Sequence, residues 1–232
     1  VKPTPQAAIV KPAPLVIIRD VFIAPGRAFS ALAANPGWLL VYIVVLALGA
    51  ASVALTLPAV AHLNLRLATA GGGGTATTGL AAEMQRLAGE LLGYDAIVPV
   101  LAWGIAAIVF SFACRFGGQP VPFRTLFAIA AYGSLPSALG GLVESAVIRL
   151  HDPASFASYH AFFAAFPLDL AIFAPPGAPP RSESFLSSFG VFDLWSALVT
   201  AYGLVAVAKV GLVAALVAAF AVDLVVTLAF NA

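Results

Sequence analysis

Charge is what this chain has least of. Only 9% of its 232 residues are charged and 62% are hydrophobic, against about a quarter charged and about half apolar in an ordinary soluble domain. A water-soluble helical core needs polar outer faces, yet Gly37 to Ala59 and Ala96 to Cys114 carry no charge on any face. A soluble fold is thereby excluded. The formal net charge is +1 and the eleven Lys and Arg are scattered singly, so no basic field recruits nucleic acid. A single cysteine, Cys114, rules out an internal disulfide and a thiolate metal cluster. Histidine is equally sparse. His62, His151 and His160 are read in the joints between apolar blocks, which leaves no intramembrane pair for haem or a pigment, and no cofactor is expected. No G-x-S-x-G or H-E-x-x-H occurs, and Gly71 to Gly74 follows no strand as a dinucleotide loop would. An enzyme is not expected.

What the chain does have is apolar length. A span needs roughly 20 apolar residues to match a hydrocarbon layer of about 30 Å. Residues 37–59, 96–114 and 125–148 meet this. The stretch from Phe192 to Phe230 is apolar apart from Asp193, Lys209 and Asp223 and at roughly 58 Å is too long for one crossing, so it is read as a hairpin, 192–208 and 211–230, turning near Lys209 to Gly211. The expected fold is all-α: a polytopic bundle of five transmembrane helices with short interfacial helices. A four-span chain, with the last hairpin a bent single helix, is the alternative. Residues 1–20, spaced by Pro3, Pro5, Pro12 and Pro14 and lacking the apolar core of a secretory signal, read as a disordered tail ahead of a membrane domain over 21–232.

Charge in the joints sets the orientation. One set holds Lys2, Lys11, Arg19, Arg27, Arg115, Arg124 and Lys209 against Asp20. The other holds Arg66, Arg86, Arg149 and Arg181 against Glu83, Glu90, Asp95, Asp152, Asp169 and Glu183. Short cytoplasmic loops retain Lys and Arg, so the N-terminus is expected in the cytoplasm and the C-terminus outside. The bias toward Ala, Gly, Pro and Val points to a GC-rich bacterium, hence its inner membrane. Val16 to Leu32 is amphipathic and broken at Pro25 and Gly26, giving two short helices at the inner interface. After the Gly71 to Gly74 hinge, Leu80, Met84, Leu87 and Leu91 form the stripe of a short helix expected on the outer surface. The joint from His151 to Val191 contains Phe162 to Phe173, apolar but broken by Pro167 and Asp169; about 12 residues cannot span, so it is read as an interfacial or re-entrant cap.

Two groups of residues stand out within the spans. Gly133, Ser137, Gly141 and Ser145 recur every four residues on the third span, a small-residue face for close helix packing, inside the bundle or against a second copy or another subunit. Pro136 removes a helical donor and frees the Tyr132 carbonyl, so that span should kink there. Glu144, Asp193 and Asp223 are carboxylates in or beside apolar blocks, costly by up to roughly 3 kcal/mol each at a helix centre. With Tyr132 and Pro136 they form the candidate polar site. Asp223 reads either as a proton or cation site or as a helix–helix hydrogen bond; Asp193 reads more simply as a first-turn acid of the fourth span.

Three stretches together resemble the Yip1-domain family of multispanning membrane proteins: VFIAPGRAFSALAANPGW (Val21 to Trp38), LFAIAAYGSLPSALGGL (Leu126 to Leu142) and FDLWSALVTAYGLVAVAKV (Phe192 to Val210). Pro25 with Phe29, Tyr132 with Pro136, and Asp193-Leu194-Trp195 carry the match. The resemblance implies a five-helix bundle with a cytoplasmic N-terminus. Eukaryotic relatives are linked to vesicle traffic and to small GTPases bound through that region, which here is a short tail without a docking motif. The expected function is a non-enzymatic scaffold or accessory subunit, with membrane lipid and other membrane subunits or a homo-oligomer as partners and no nucleic acid. The rival is a transporter or channel component for protons or a small solute.

Overall fold

The computed structural model describes residues 13–70, 79–175 and 177–231. The Pro-spaced residues 1–12 and the Gly71 to Gly74 hinge lie outside them. Helix accounts for most of the described chain, and no strand occurs among the described residues beyond one isolated antiparallel bridge, Asp169 with Gly190.

Two short helices come first, α1 (Pro14–Ile23) and α2 (Pro25–Ala34). Each opens on a proline, whose missing N–H costs nothing in a first turn. The disordered tail expected over residues 1–20 is therefore too long: the chain is helical from Pro14, because Ile17 and Val21 are buried in the bundle core with Ile18 and Phe22 packed against it.

Among the described residues, five helices are long and apolar enough to cross a membrane: α3 (Leu39–Ala70), α4 (Leu80–Gly117), α5 with α6 (Phe123–Gly133 and Leu135–Arg149), α9 (Val191–Ala208) and α10 (Leu212–Asn231). The short α7 (Tyr159–Phe163) and α8 (Pro180–Ser187) lie between the third and fourth. The α5–α6 pair is the axis of the bundle: 56% of its most apolar window is buried inside the protein, against 11% for α3, whose flank is free for lipid. Around α5 and Trp103 the rings of Trp38, Tyr42 and Phe127 meet edge to face, with centroids 5.4 to 6.1 Å apart. Each such pair adds about 0.5–1.5 kcal/mol to burial.

The kink expected at Pro136 is a break. Helix α5 ends at Gly133 and α6 starts at Leu135, because Pro136 has no N–H to give and the Ser137 N–H leaves the ladder for Ser196 Oγ at 2.9 Å. Trp103 Nε1 donates to Ser134 Oγ at the same break, at 3.1 Å. The turn between α9 and α10 is set by Lys209, whose backbone is left-handed at φ 58° and whose Nζ returns to the Ala206 carbonyl at 2.9 Å. The last apolar stretch is thus a hairpin, not one bent helix.

Two readings of the joints need correction. The stripe at Leu80 to Leu91 is not a separate surface helix, and α3 does not stop at Ala59. Helix α4 runs unbroken for 38 residues and α3 for 32, about 57 and 48 Å at 1.5 Å per residue, well beyond a hydrocarbon layer of about 30 Å. Hydropathy marks where lipid ends, not where hydrogen bonding ends, and neither extension contains a breaker that stops it. His62 consequently lies inside α3 rather than in a joint. The extensions support each other, Asn64 Nδ2 donating to Glu83 Oε1 at 3.3 Å while Arg86 holds Glu83 and Glu90.

Residues 151–175 and 177–190 fold over this end as a cap made of 3₁₀ turns at Pro153–Ser155 and Leu170–Phe173 together with α7 and α8. Phe156 and Phe162 pack with Ala59, Leu63 and Ile148 into a second small core, and Tyr159 Oη donates to Asn64 Oδ1 at 2.7 Å.

Candidate functional site

A cavity of about 330 Å³ opens under the cap, between α6, α9 and α10. Glu144, Asp193 and Asp223 line it, one from each helix, so the three acids singled out in the sequence meet although up to 79 positions separate them. A fourth joins them from the cap. Asp169, which the sequence reading left out of the site, is only 7% exposed and forms part of the same wall.

Local structure explains how each is placed. Asp193 is the third residue of α9 and its Oδ2 accepts the Gly190 N–H at 2.9 Å, a capping box that starts the helix. Gly190 is in turn tied to the cap: Val191 N–H donates to the Leu168 carbonyl at 3.0 Å and Leu170 N–H to the Phe189 carbonyl at 3.1 Å. These two bonds fix Asp169 beside Asp193. Asp169 Oδ1 caps its own 3₁₀ turn through the Ala171 N–H at 2.8 Å, while Oδ2 has no hydrogen-bond partner among the described residues. Burial pushes its carboxyl above the ordinary range, the Ala171 N–H pulls the other way, and the Asp193 charge adds to the rise.

The lining has no counter-charge. Among the described residues no Lys, Arg or His borders the cavity, and the acids repel one another, Glu144 with Asp169 and Asp193, and Asp223 with Asp193. No three His, Cys, Asp or Glu side chains among the described residues converge closely enough to hold a metal ion. At Ser137 and Asp223 the cavity meets a narrower space of about 200 Å³, with Ser134, Ser196 and Thr200 on its walls and Trp103 and Phe110 at its margin. Beyond these the bundle is filled by Phe29, Leu126, Ile129 and Leu204, all fully buried.

The small-residue face divides. A side chain at Gly133 would collide with Thr200, Ser137 Oγ donates to Ser196 Oγ at 2.8 Å, and Ser145 is buried. Gly141 instead faces open space at the cavity, and the close approach falls to its neighbour Gly140, where a methyl would stand 2.5 Å from Phe192. Tyr132 and Pro136 do not border the acidic cavity. Tyr132 is buried and lines a separate hollow with Pro14, Ile17 and Leu39, while Pro136 is buried at the helix break.

The one mark Asp169 carries in the sequence is its position as an acid interrupting an apolar joint; the fold places it on the cavity wall. A family model described as the Yip1 domain matches residues 19–231. Neither the curated proteins nor the solved structures contain a match to this chain.

Proposed function

The chain belongs to the Yip1 domain family, and we propose that it acts as a non-enzymatic membrane scaffold or accessory subunit that binds other membrane proteins or lipid. One observation carries this reading. The acidic cavity and the narrower space that continues it, lined as far as Trp103 and Phe110, lie against a packed aromatic and aliphatic core, an arrangement that suits holding a group better than passing one through. The apolar flank of α3 and the exposed Leu212, Val213 and Val217 of α10 offer lateral surface to lipid or a neighbouring subunit.

In this reading the N-terminus lies on the cytoplasmic side of a bacterial inner membrane and the C-terminus outside. Arg124 Nε donating to the Pro36 carbonyl and Gln119 N–H donating to the Ala208 carbonyl draw the cationic joints together at one end, opposite the cap. Purification in mild detergent should bring down a stoichiometric partner or a homo-oligomer. A clean monomer, free of partner and bound lipid, overturns the reading.

A transporter component is the second reading, favoured by the run of Ser137, Ser196 and Thr200 hydroxyls leading inward from Asp223. It requires that reconstituted protein move protons or a small solute and that Asp223→Asn abolish the movement.

A further inference from the structure

The acidic cavity does not stand alone at the cap end. A second hollow, about 520 Å³ and almost wholly apolar, shares Asp169, Asp193 and Asp223 with it and is walled by Leu170, Ile172 and Phe173 of the cap and Phe220 of α10. Phe173 is 75% exposed and Ile172 and Leu170 are 44% exposed, so this hollow is open where the first is recessed. One site therefore offers four carboxylates to a head and an apolar trough to whatever the head is attached to.

We propose that this composite site binds an alkylammonium group, the cationic head of an amphiphile whose tail lies in the apolar trough. Carboxylates gathered without a counter-ion attract a cation, and a cation desolvated among them gains charge-assisted hydrogen bonds. No three acids among the described residues gather as a metal site, whereas an ammonium is held by a single carboxylate through a charge-assisted hydrogen bond. Asp169 supplies the independent sign: it is 93% buried in the wall and holds an oxygen, Oδ2, that nothing among the described residues satisfies. Burial raises that carboxyl's affinity for protons and Asp193 raises it further, the behaviour of a group short of positive charge. An anionic or neutral amphiphile meets the trough equally well but not the head site.

The same chemistry reaches the site from two sources, an aminolipid head in the bilayer or a free lipophilic amine. Full-length protein in nanodiscs of phosphatidylglycerol is titrated with octylammonium, with octanol and octanoate in parallel, and with methylammonium as the head without a tail. Octylammonium should bind saturably and more tightly than the other three. Asp169→Asn and Glu144→Gln should each weaken it about tenfold or more without lowering the melting temperature of the unliganded protein, while Glu90→Gln, outside the cavity, should change nothing. Replacing half of the lipid with phosphatidylethanolamine separates the sources: weaker apparent octylammonium binding marks the lipid head as occupant, unchanged binding marks the free amine. Equal binding of octylammonium and octanol, or cavity variants that fold and bind like the parent, overturns the proposal. A failed search for a partner subunit leaves it standing, since the titration needs none.

Discussion

Asp20 and Asp169 are buried alike, 5% and 7% exposed, at opposite ends of the bundle. Arg19 donates twice to Asp20 Oδ1, at 2.7 and 3.0 Å, and Arg27 Nε donates to Oδ2 at 3.0 Å. The Arg19 bonds hold that carboxyl below the ordinary range against the opposing pull of burial, and Arg27 adds to the effect. Asp169 has one backbone N–H, no cation and three other acids for company. Burial of an acid is common to both; only the missing partner distinguishes a candidate site from a structural brace.

The largest effect tests whether the cap end holds a real void. Gly140→Leu drives a side chain into Phe192 and should cost about 1–3 kcal/mol, read as a fall in melting temperature in detergent. Gly141→Leu, one residue on, enters the cavity and should change stability by about 0.5 kcal/mol or less while blocking octylammonium. Equal losses from the two would erase the cavity from the comparison.

Next, Asp20 can be made to resemble Asp169. The double variant Arg19→Gln, Arg27→Gln strips its counter-ions. The folded pKa of Asp20 lies below its unfolded value, so its stabilising share is complete above the unfolded value and is lost as pH falls through the folded one. The variant should therefore melt below the parent at about pH 7 and converge with it only as pH falls through the folded value of Asp20. A gap that persists in acid would mean that the arginines act through packing instead.

A smaller loss, about 1 kcal/mol, is expected for Trp103→Phe, which deletes the bond from the indole to Ser134 at the helix break. Circular dichroism melts should show it without loss of helix content.

The smallest effect has the opposite sign. The folded pKa of Asp169 lies above its unfolded value, so its cost is absent below the unfolded value and grows as pH rises through the folded one. Asp169→Asn keeps an oxygen for the Ala171 N–H and sheds the charge. Unliganded, it should melt at or slightly above the parent at about pH 8 and lose that advantage near about pH 3. A clear drop at about pH 8 would show that the carboxylate is already paired.

The membrane-length helices were legible because lipid contact leaves a local mark: charge-free runs, Pro136 where the third helix breaks, Lys209 where the last hairpin turns. What escaped was set at a distance. Nothing near Ala59 or Leu91 says that α3 and α4 continue, since their extensions are stabilised by each other and by Tyr159 of the cap. Glu144, Asp193 and Asp223 were conspicuous as acids among apolar neighbours. Asp169 was not, because an acid in a joint is unremarkable until the backbone bonds from Leu168 and Phe189 lay it beside Asp193. Gly140 was passed over for Gly141 because a four-residue period assumes a straight helix, and α6 begins afresh after Ser134.

Asp193 also starts α9. Its Oδ2 accepts the Gly190 N–H and the Ser137 side chain also bonds its carboxyl, and the same Gly190 is where the cap is stitched to the bundle. An arriving positive charge that drew Oδ2 away would slacken the stitch; one content with Oδ1 would leave it tight. The cap's susceptibility to a protease thus becomes a gauge of how deeply a guest is seated.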